Sequence, residues 1–279
     1  MQTAPLAPSI EQTTHARPAR RRLGVFVFTA SLIIIGAWIL VMPGGVLGHA
    51  DLIGYAVCHR IAERSFFIGG VQLPLCARCS GTYFGALTAF IVMFLLGRRR
   101  AANLPPVSVL IVFVLFVAVF GIDGVNSYLT LFPGAPHLYE PQNWLRLTTG
   151  TLEGIALAAI VLPVFNQTIW ADATGERSLR DLRELGAVML LSVVAIGLVL
   201  TELPLLLYPL AILSSVSVLW MFALINTVVA TVVARRENTA HTWLDAAPVM
   251  IVGLALALTE LSVIDFGRAW LTQALGLPF

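Results

Sequence analysis

The sequence predicts an all-α polytopic bundle of about seven transmembrane helices, and three observations predict it. The first is composition: 58% of the 279 residues are hydrophobic, 11% are charged and the mean hydropathy is +0.88. A soluble domain carries about a quarter charged residues, so this chain cannot cover a water-facing surface and lipid must be much of its solvent. The second is a recurrence of apolar runs of roughly 20 residues, the length a helix needs to cross a bilayer core. The third is the placement of arginine, which supplies every basic side chain and gathers in alternate connections between the runs.

In chain order the predicted spans are Leu23 to Met42, Ser80 to Leu96, Val107 to Val125, Leu145 to Phe165, Leu185 to Leu203, Pro209 to Val233 and Leu244 to Ile264. Only ELPLLLYP separates the fifth from the sixth, so six spans is the competing count. Residues 1–22, rich in Pro and Arg, read as a disordered cytoplasmic tail. Residues 23–264 form the bundle, with 43–79 as an outer Cys/His loop, and 265–279 as an outer tail lying at the interface, where Phe266, Trp270, Leu271 and Leu275 suit an anchor. The first run exceeds the 7–15 apolar residues usual in a signal peptide, which favours a retained anchor.

With the N-terminus inside, Arg17, Arg20 to Arg22, Arg98 to Arg100, Arg177, Arg180, Arg183, Arg235 and Arg236 are cytoplasmic, and Arg60, Arg64, Arg78, Arg146 and Arg268 are outside. Short basic loops stay in the cytoplasm, so this bias predicts an N-in, C-out protein of the cell membrane. The net charge of +2 is too small to suggest a nucleic-acid partner. Two spans also carry small residues four apart: Gly81, Gly85 and Ala89 on one, Gly150, Gly154 and Ala158 on another. Such stripes permit close helix approach in lipid.

All three cysteines fall in VCHRIAERSFFIGGVQLPLCARCSGTY, residues 57–83. Gly69-Gly70 suits a tight hairpin turn that folds Cys58 and His59 back toward Cys76 and Cys79, with Pro74 stopping the returning strand. Three sulfurs and one imidazole are the donor set of a tetrahedral zinc site. Cys76 and Cys79 form a good half-site. Cys58 and His59 form a weaker one, because adjacent residues do not easily turn both side chains onto one centre. His49, His137 or a carboxylate are alternative fourth ligands. The haem c pattern is not met, since Ser80 rather than histidine follows Cys79.

A second reading is redox: an outward C-x-x-C near a helix start, cycling between dithiol and disulfide and passing electrons to quinone. A third is a transporter or receptor with a structural metal clip. In all three the bilayer is a partner, and a small molecule, lipid or quinone is the class of ligand.

Polar residues gather at the outer ends of the spans. Asp123, Arg146, Glu153 and Glu260 are the candidate catalytic residues, with Asp123 and Arg146 expected to pair and Glu153 or Glu260 expected to be a buried acid in one outward-opening pocket. The alternative leaves Asp123, Arg146 and Glu202 solvated at the interface. Ser/His/Asp triads, H-E-x-x-H and phosphate loops are absent from the sequence.

The run CHRIAERSFFIGGVQLPLCARCSGTYFG, followed by GIDG and NWLRLTTG, resembles the prokaryotic membrane proteins of the domain of unknown function 2085 family. Its pattern of a C-H pair, P-[LV]-C-x-R-C-x-G, D-G and L-R-x-x-T-G falls on Cys58, His59, Pro74, Cys76, Arg78, Cys79, Gly81, Asp123, Gly124, Leu145, Arg146, Thr149 and Gly150. The resemblance spans about residues 50 to 165 and implies a multi-spanning membrane protein, with no established activity. Ser80 replaces an expected threonine, and LTLFPGAPHLYEPQ departs from the family's more polar connection.

Overall fold

Long apolar helices satisfy every backbone hydrogen bond internally, which lipid requires. The computed structural model, which describes residues 10–42, 44–132 and 134–275, is built on this plan. Helices α1 (Ile10–Val41), α3 (Ala77–Leu95), α4 (Val107–Leu129), α5 (Asn143–Ile169), α6 (Leu182–Leu200), α7 (Leu207–Ala234) and α8 (Trp243–Leu275) contain the seven segments long and apolar enough to cross a membrane. The protein is therefore an all-α multi-pass membrane bundle. The fifth and sixth predicted spans are distinct helices: the chain breaks at Glu202, where φ is 50°, and turns through a 3-10 segment, Pro204–Leu206.

Two boundaries differ from expectation. Residues 1–9 of the expected disordered tail lie outside the described residues, but from Ile10 the backbone is helical and runs straight into the first span. At the other terminus α8 continues unbroken to Leu275, so residues 265–275 extend the last span instead of turning to lie flat; 276–279 fall outside the described residues.

The predicted 43–79 loop contains a helix that the sequence reading did not anticipate, α2 (Gly45–Val57). It leads into the expected hairpin, β1 (Ser65–Ile68) and β2 (Val71–Cys76). Gly69 and Gly70 have φ of 59° and 81°, the left-handed pair that a two-residue turn needs. Pro74 does not end the strand. The ladder slips between Ser65↔Cys76 and Phe67↔Gln72, and a proline without an N–H is tolerated at such an irregularity. The Pro74 carbonyl sits against the Cα of Gly54, where any Cβ would overlap it, so α2 lies directly on β2. Ile68, Leu73 and Leu75 are buried, which seats the hairpin in the bundle's end rather than above it.

The two glycine stripes pack against each other. A Cβ on Gly81 would overlap the Leu147 carbonyl, on Gly85 that of Thr151, on Gly150 that of Arg78 and on Gly154 that of Thr82. The backbones of α3 and α5 thus touch over two full turns. At the end opposite the hairpin, short strands β3 (Ala101–Asn103) and β4 (Thr174–Arg177) pair in parallel. There the buried Arg98 pairs with Glu176 at 3.2 Å and with Glu184, and Asn166 donates to the Ala101 carbonyl at 2.9 Å. Asp181 caps α6 by accepting from the Arg183 and Glu184 amides.

Candidate metal centre and the polar cluster beside it

Three local structures converge on the cysteines. Cys58 ends α2 in an extended conformation, and the left-handed Arg60 (φ 49°) turns the chain away. Cys76 closes β2 and is at once the N-cap of α3; Cys79 sits in that helix's first turn. The three Sγ atoms lie within 4.8 Å of one another, and no disulfide links them. Cys58 and Cys76 are buried and Cys79 is partly so.

The Cys58 sulfur also accepts two backbone donors, Cys76 N at 3.1 Å and Arg60 N at 3.5 Å. Hydrogen bonds from the Cys76 and Cys79 thiols hold the Cys58 thiol well below the ordinary range. Cys76 moves the other way, to about 11, because its hydrogen bond to Cys58 requires its proton. Cys58 is thus the sulfur that its surrounding donors favour as a thiolate, the form a cation would bind. Thiolates at about 2.3 Å from one zinc stand about 3.7 Å apart, so small side-chain rotations bring this group to coordination distance.

The imidazoles are placed less centrally. His59 Nδ1 lies 3.9 Å from the Cys58 sulfur, but the ring is exposed and does not join the close group of three sulfurs. The adjacency of Cys58 and His59 accounts for this. His49 is engaged elsewhere, stacking edge-on at 5.0 Å with Trp38 and contacting the Ile39 carbonyl at 3.2 Å. His137 pairs with Glu140 at 2.9 Å, whose hydrogen bond raises its pKa.

The polar cluster next to the sulfurs is wired differently from expectation. Asp123, 1% exposed, pairs with Arg78 and not with Arg146. Arg78 projects from the first turn of α3 onto α4 and also donates to the Asp123 carbonyl at 3.0 Å. Tyr139 Oη and Thr149 Oγ1 complete the carboxylate's shell at 2.8 and 3.2 Å. Arg146 is taken up one turn further along α4 by Ser127 Oγ, at 2.8 and 3.1 Å, and by Asn143 Oδ1 at 2.8 Å. Arg64, below the hairpin, donates to the Ser127 carbonyl at 2.8 Å. Asn126 fastens the following loop, accepting from Leu138 N and donating to the Tyr139 carbonyl.

The remaining acids do not join this cluster. Glu153 is half-buried on α5, about 10 Å along the helix from Arg146. Its Oε2 is buried and lacks a partner among the described residues. Glu260 is exposed on the side of α8 and accepts from Asn226 of α7 at 3.0 Å, and Glu202 is exposed at the α6–α7 break. The expected pocket, built on an Asp123–Arg146 pair with Glu153 or Glu260 as its buried acid, is therefore not seen in that form: Asp123 pairs with Arg78, Glu153 is half-buried further along α5 and Glu260 is exposed. The sequence reading had no role for Arg64 and Arg268 and missed Tyr139 and Ser127; the outward placement of both arginines was the one signal available for them.

A family described as "Predicted membrane protein (DUF2085)" matches residues 58–160, a segment that holds the three sulfurs, Arg64, Arg78, Asp123, Arg146 and Glu153. An uncharacterised protein of Methanocaldococcus jannaschii is 32% identical over 114 residues, covering 41% of this chain and 67% of the relative. An uncharacterised protein of Methanothermobacter thermautotrophicus is 36% identical over 104 residues, covering 37% of this chain and 83% of the relative. No solved structure matches.

Proposed function

The chain belongs to the DUF2085 family of predicted membrane proteins, and from that premise we propose that its shared segment is a metal-thiolate module on the outer face of the membrane. Cys58, Cys76 and Cys79 hold a zinc-type ion, and His59 or water takes the fourth position. The observation that carries this reading is the gathering of three unlinked sulfurs from three separate local structures within 4.8 Å. A disulfide would use two of them at about 2.05 Å and leave the third without a role. Backbone amides aimed at the Cys58 sulfur favour a thiolate, the form a metal binds.

The ion acts as a clip. It ties the end of α2, the end of β2 and the first turn of α3, and with them Arg60, two residues after Cys58, and Arg78, between Cys76 and Cys79. Outward orientation is supported by topology: α3 carries the chain from the sulfurs to Arg98, Arg99 and Arg100, and the other arginine-rich connections share that far end.

Metal analysis of detergent-purified protein tests the reading. One equivalent of zinc per chain, with thiols that become reactive only after chelation, is the expected result. Absence of metal together with a mass deficit of two hydrogens would replace it with the quinone-linked thiol oxidoreductase.

A further inference from the structure

Beside the sulfurs lies a cavity of about 430 Å³ whose lining combines Arg64, Arg78, Arg268 and His59 with Ile61, Gly124, Tyr128 and Leu131. Among the described residues, no carboxylate belongs to its lining. The three arginines arrive from unrelated segments, the turn below the hairpin, the start of α3 and the outer part of α8.

These cations are poorly neutralised. Arg64 donates to the Ser127 carbonyl, and Arg268 to the carbonyls of Tyr55 and Cys58, the latter at 2.8 Å. A carbonyl orients a guanidinium without cancelling its charge. Arg146, 6% exposed, has Ser127 and Asn143 as its side-chain partners among the described residues. Among the described residues, Asp123 is the one carboxylate paired within this group, and it is committed to Arg78, whose buried Nε has no partner among them. Asp265, one turn before Arg268, forms no ion pair with it among the described residues. Repulsion is felt within the cluster: burial, and next the charge of Arg78, lowers the pKa of Arg64. Even a zinc on three thiolates, with a net charge of −1, together with Asp123 leaves the four guanidinia of Arg64, Arg78, Arg146 and Arg268 two charges in excess, with Glu63 and Asp265 acting on Arg64 and Arg268 only through space. Buried charge of one sign is costly and calls for a counter-charge.

We propose that this cavity is a binding site for a phosphate-type oxyanion, borne by a lipid headgroup at the membrane surface or presented as the free anion. Several donors converging on one space suit an anion with several equivalent oxygens, and guanidinium forks match phosphate geometry. Tyr128 near the end of α4 and Leu131 in the turn after it are exposed members of the same lining, against which the acyl chains of a bound lipid would lie. This inference does not depend on metal at the cysteines.

Full-length protein in an uncharged detergent tests it through the thermal unfolding midpoint. Inorganic phosphate is titrated against chloride at equal ionic strength, and phosphatidylglycerol against phosphatidylcholine at equal mole fraction. A rise with phosphatidylglycerol alone assigns the lipid source, and a rise with inorganic phosphate assigns the free anion. Arg64→Gln and Arg268→Gln should each weaken the apparent affinity at least tenfold. The wild-type arms decide the matter alone if a variant does not fold. No rise in either arm beyond its control, or an Arg268→Gln protein that responds as wild type does, overturns the proposal. Repeating the titration after chelation separates the two ideas, because the anion response should persist even if zinc was never bound.

Discussion

Arg78 donates to both the backbone carbonyl and the carboxylate of Asp123, binding the first turn of α3 to the C-terminal part of α4. Since Arg78 lies between Cys76 and Cys79, the same turn positions the sulfurs and the charged cluster. Asp123 is almost wholly buried, so removing its charge strands a guanidinium that has lost its counter-ion. Asp123→Ala should cost about 3–5 kcal/mol, the range for breaking a buried ion pair by deleting one partner. Replacing both residues with apolar ones of similar size, Arg78→Met with Asp123→Leu, should recover much of that loss. Unfolding midpoints of the two variants in detergent compare them directly; equal destabilisation would mean that the pair's charge is not what matters.

The glycine contact between α3 and α5 gives a sharper contrast. Gly154→Val would drive a side chain into the Thr82 carbonyl, and backbone cannot rotate away as a side chain can. A loss of about 3 kcal/mol is expected, the upper part of the overpacking range. Gly186 in α6 has nothing within 4 Å of an added Cβ. Gly186→Ala should therefore be neutral or stabilise by about 0.5–1 kcal/mol through helix propensity. Thermal unfolding of both variants in the same detergent checks the pair of signs.

Much of this bundle can be read from the chain, and the reasons differ by feature. Span number and the hairpin follow from length and from Gly69-Gly70, both of which are local signals. The stripes of Gly81 and Gly85, and of Gly150 and Gly154, announce a close contact because only glycine permits one. Side-chain partners are less accessible. Whether Asp123 meets Arg78 or Arg146 depends on how α3 and α5 rotate about their axes relative to α4, and depth along a helix says nothing about rotation. Glu260 shows the same limit: its depth suggested the outer pocket, but its azimuth on α8 turns it to Asn226. Helix α2 escaped notice because GVLGHADLIGYAV is too short and too mixed to read as a span.

At the far end of the molecule Glu176 offers a pH test. Its carboxylate is held below the usual range by hydrogen bonds from Arg180 at 2.7 Å and, next, from Arg98 at 3.2 Å. A depressed folded-state pKa contributes stability that is complete above the unfolded glutamate value of about 4.3 and is lost as pH falls through the lower folded value. Acid unfolding of wild type and Glu176→Gln should therefore converge as pH drops below about 4.3, the variant having already given up this contribution at neutral pH. Curves separated by a constant amount at every pH would remove Glu176 from the account.

Orientation yields the last prediction. The arginine bias implies that the hairpin, the sulfurs and the loop before α5 face outward, with the ion-paired β3–β4 end in the cytoplasm. Glu140 and Glu237 are exposed residues at the two ends, in the α4–α5 and α7–α8 connections. A membrane-impermeant maleimide should label Glu140→Cys in intact cells and Glu237→Cys only after permeabilisation. The parent protein, with Cys58 and Cys76 buried, sets the background. The reverse pattern would put the cysteines in the reducing cytoplasm, where free thiols and metal sites are common and an exported thiol redox centre has no place. The metal reading would survive that result in altered form, while a quinone-linked disulfide cycle fed from outside would not.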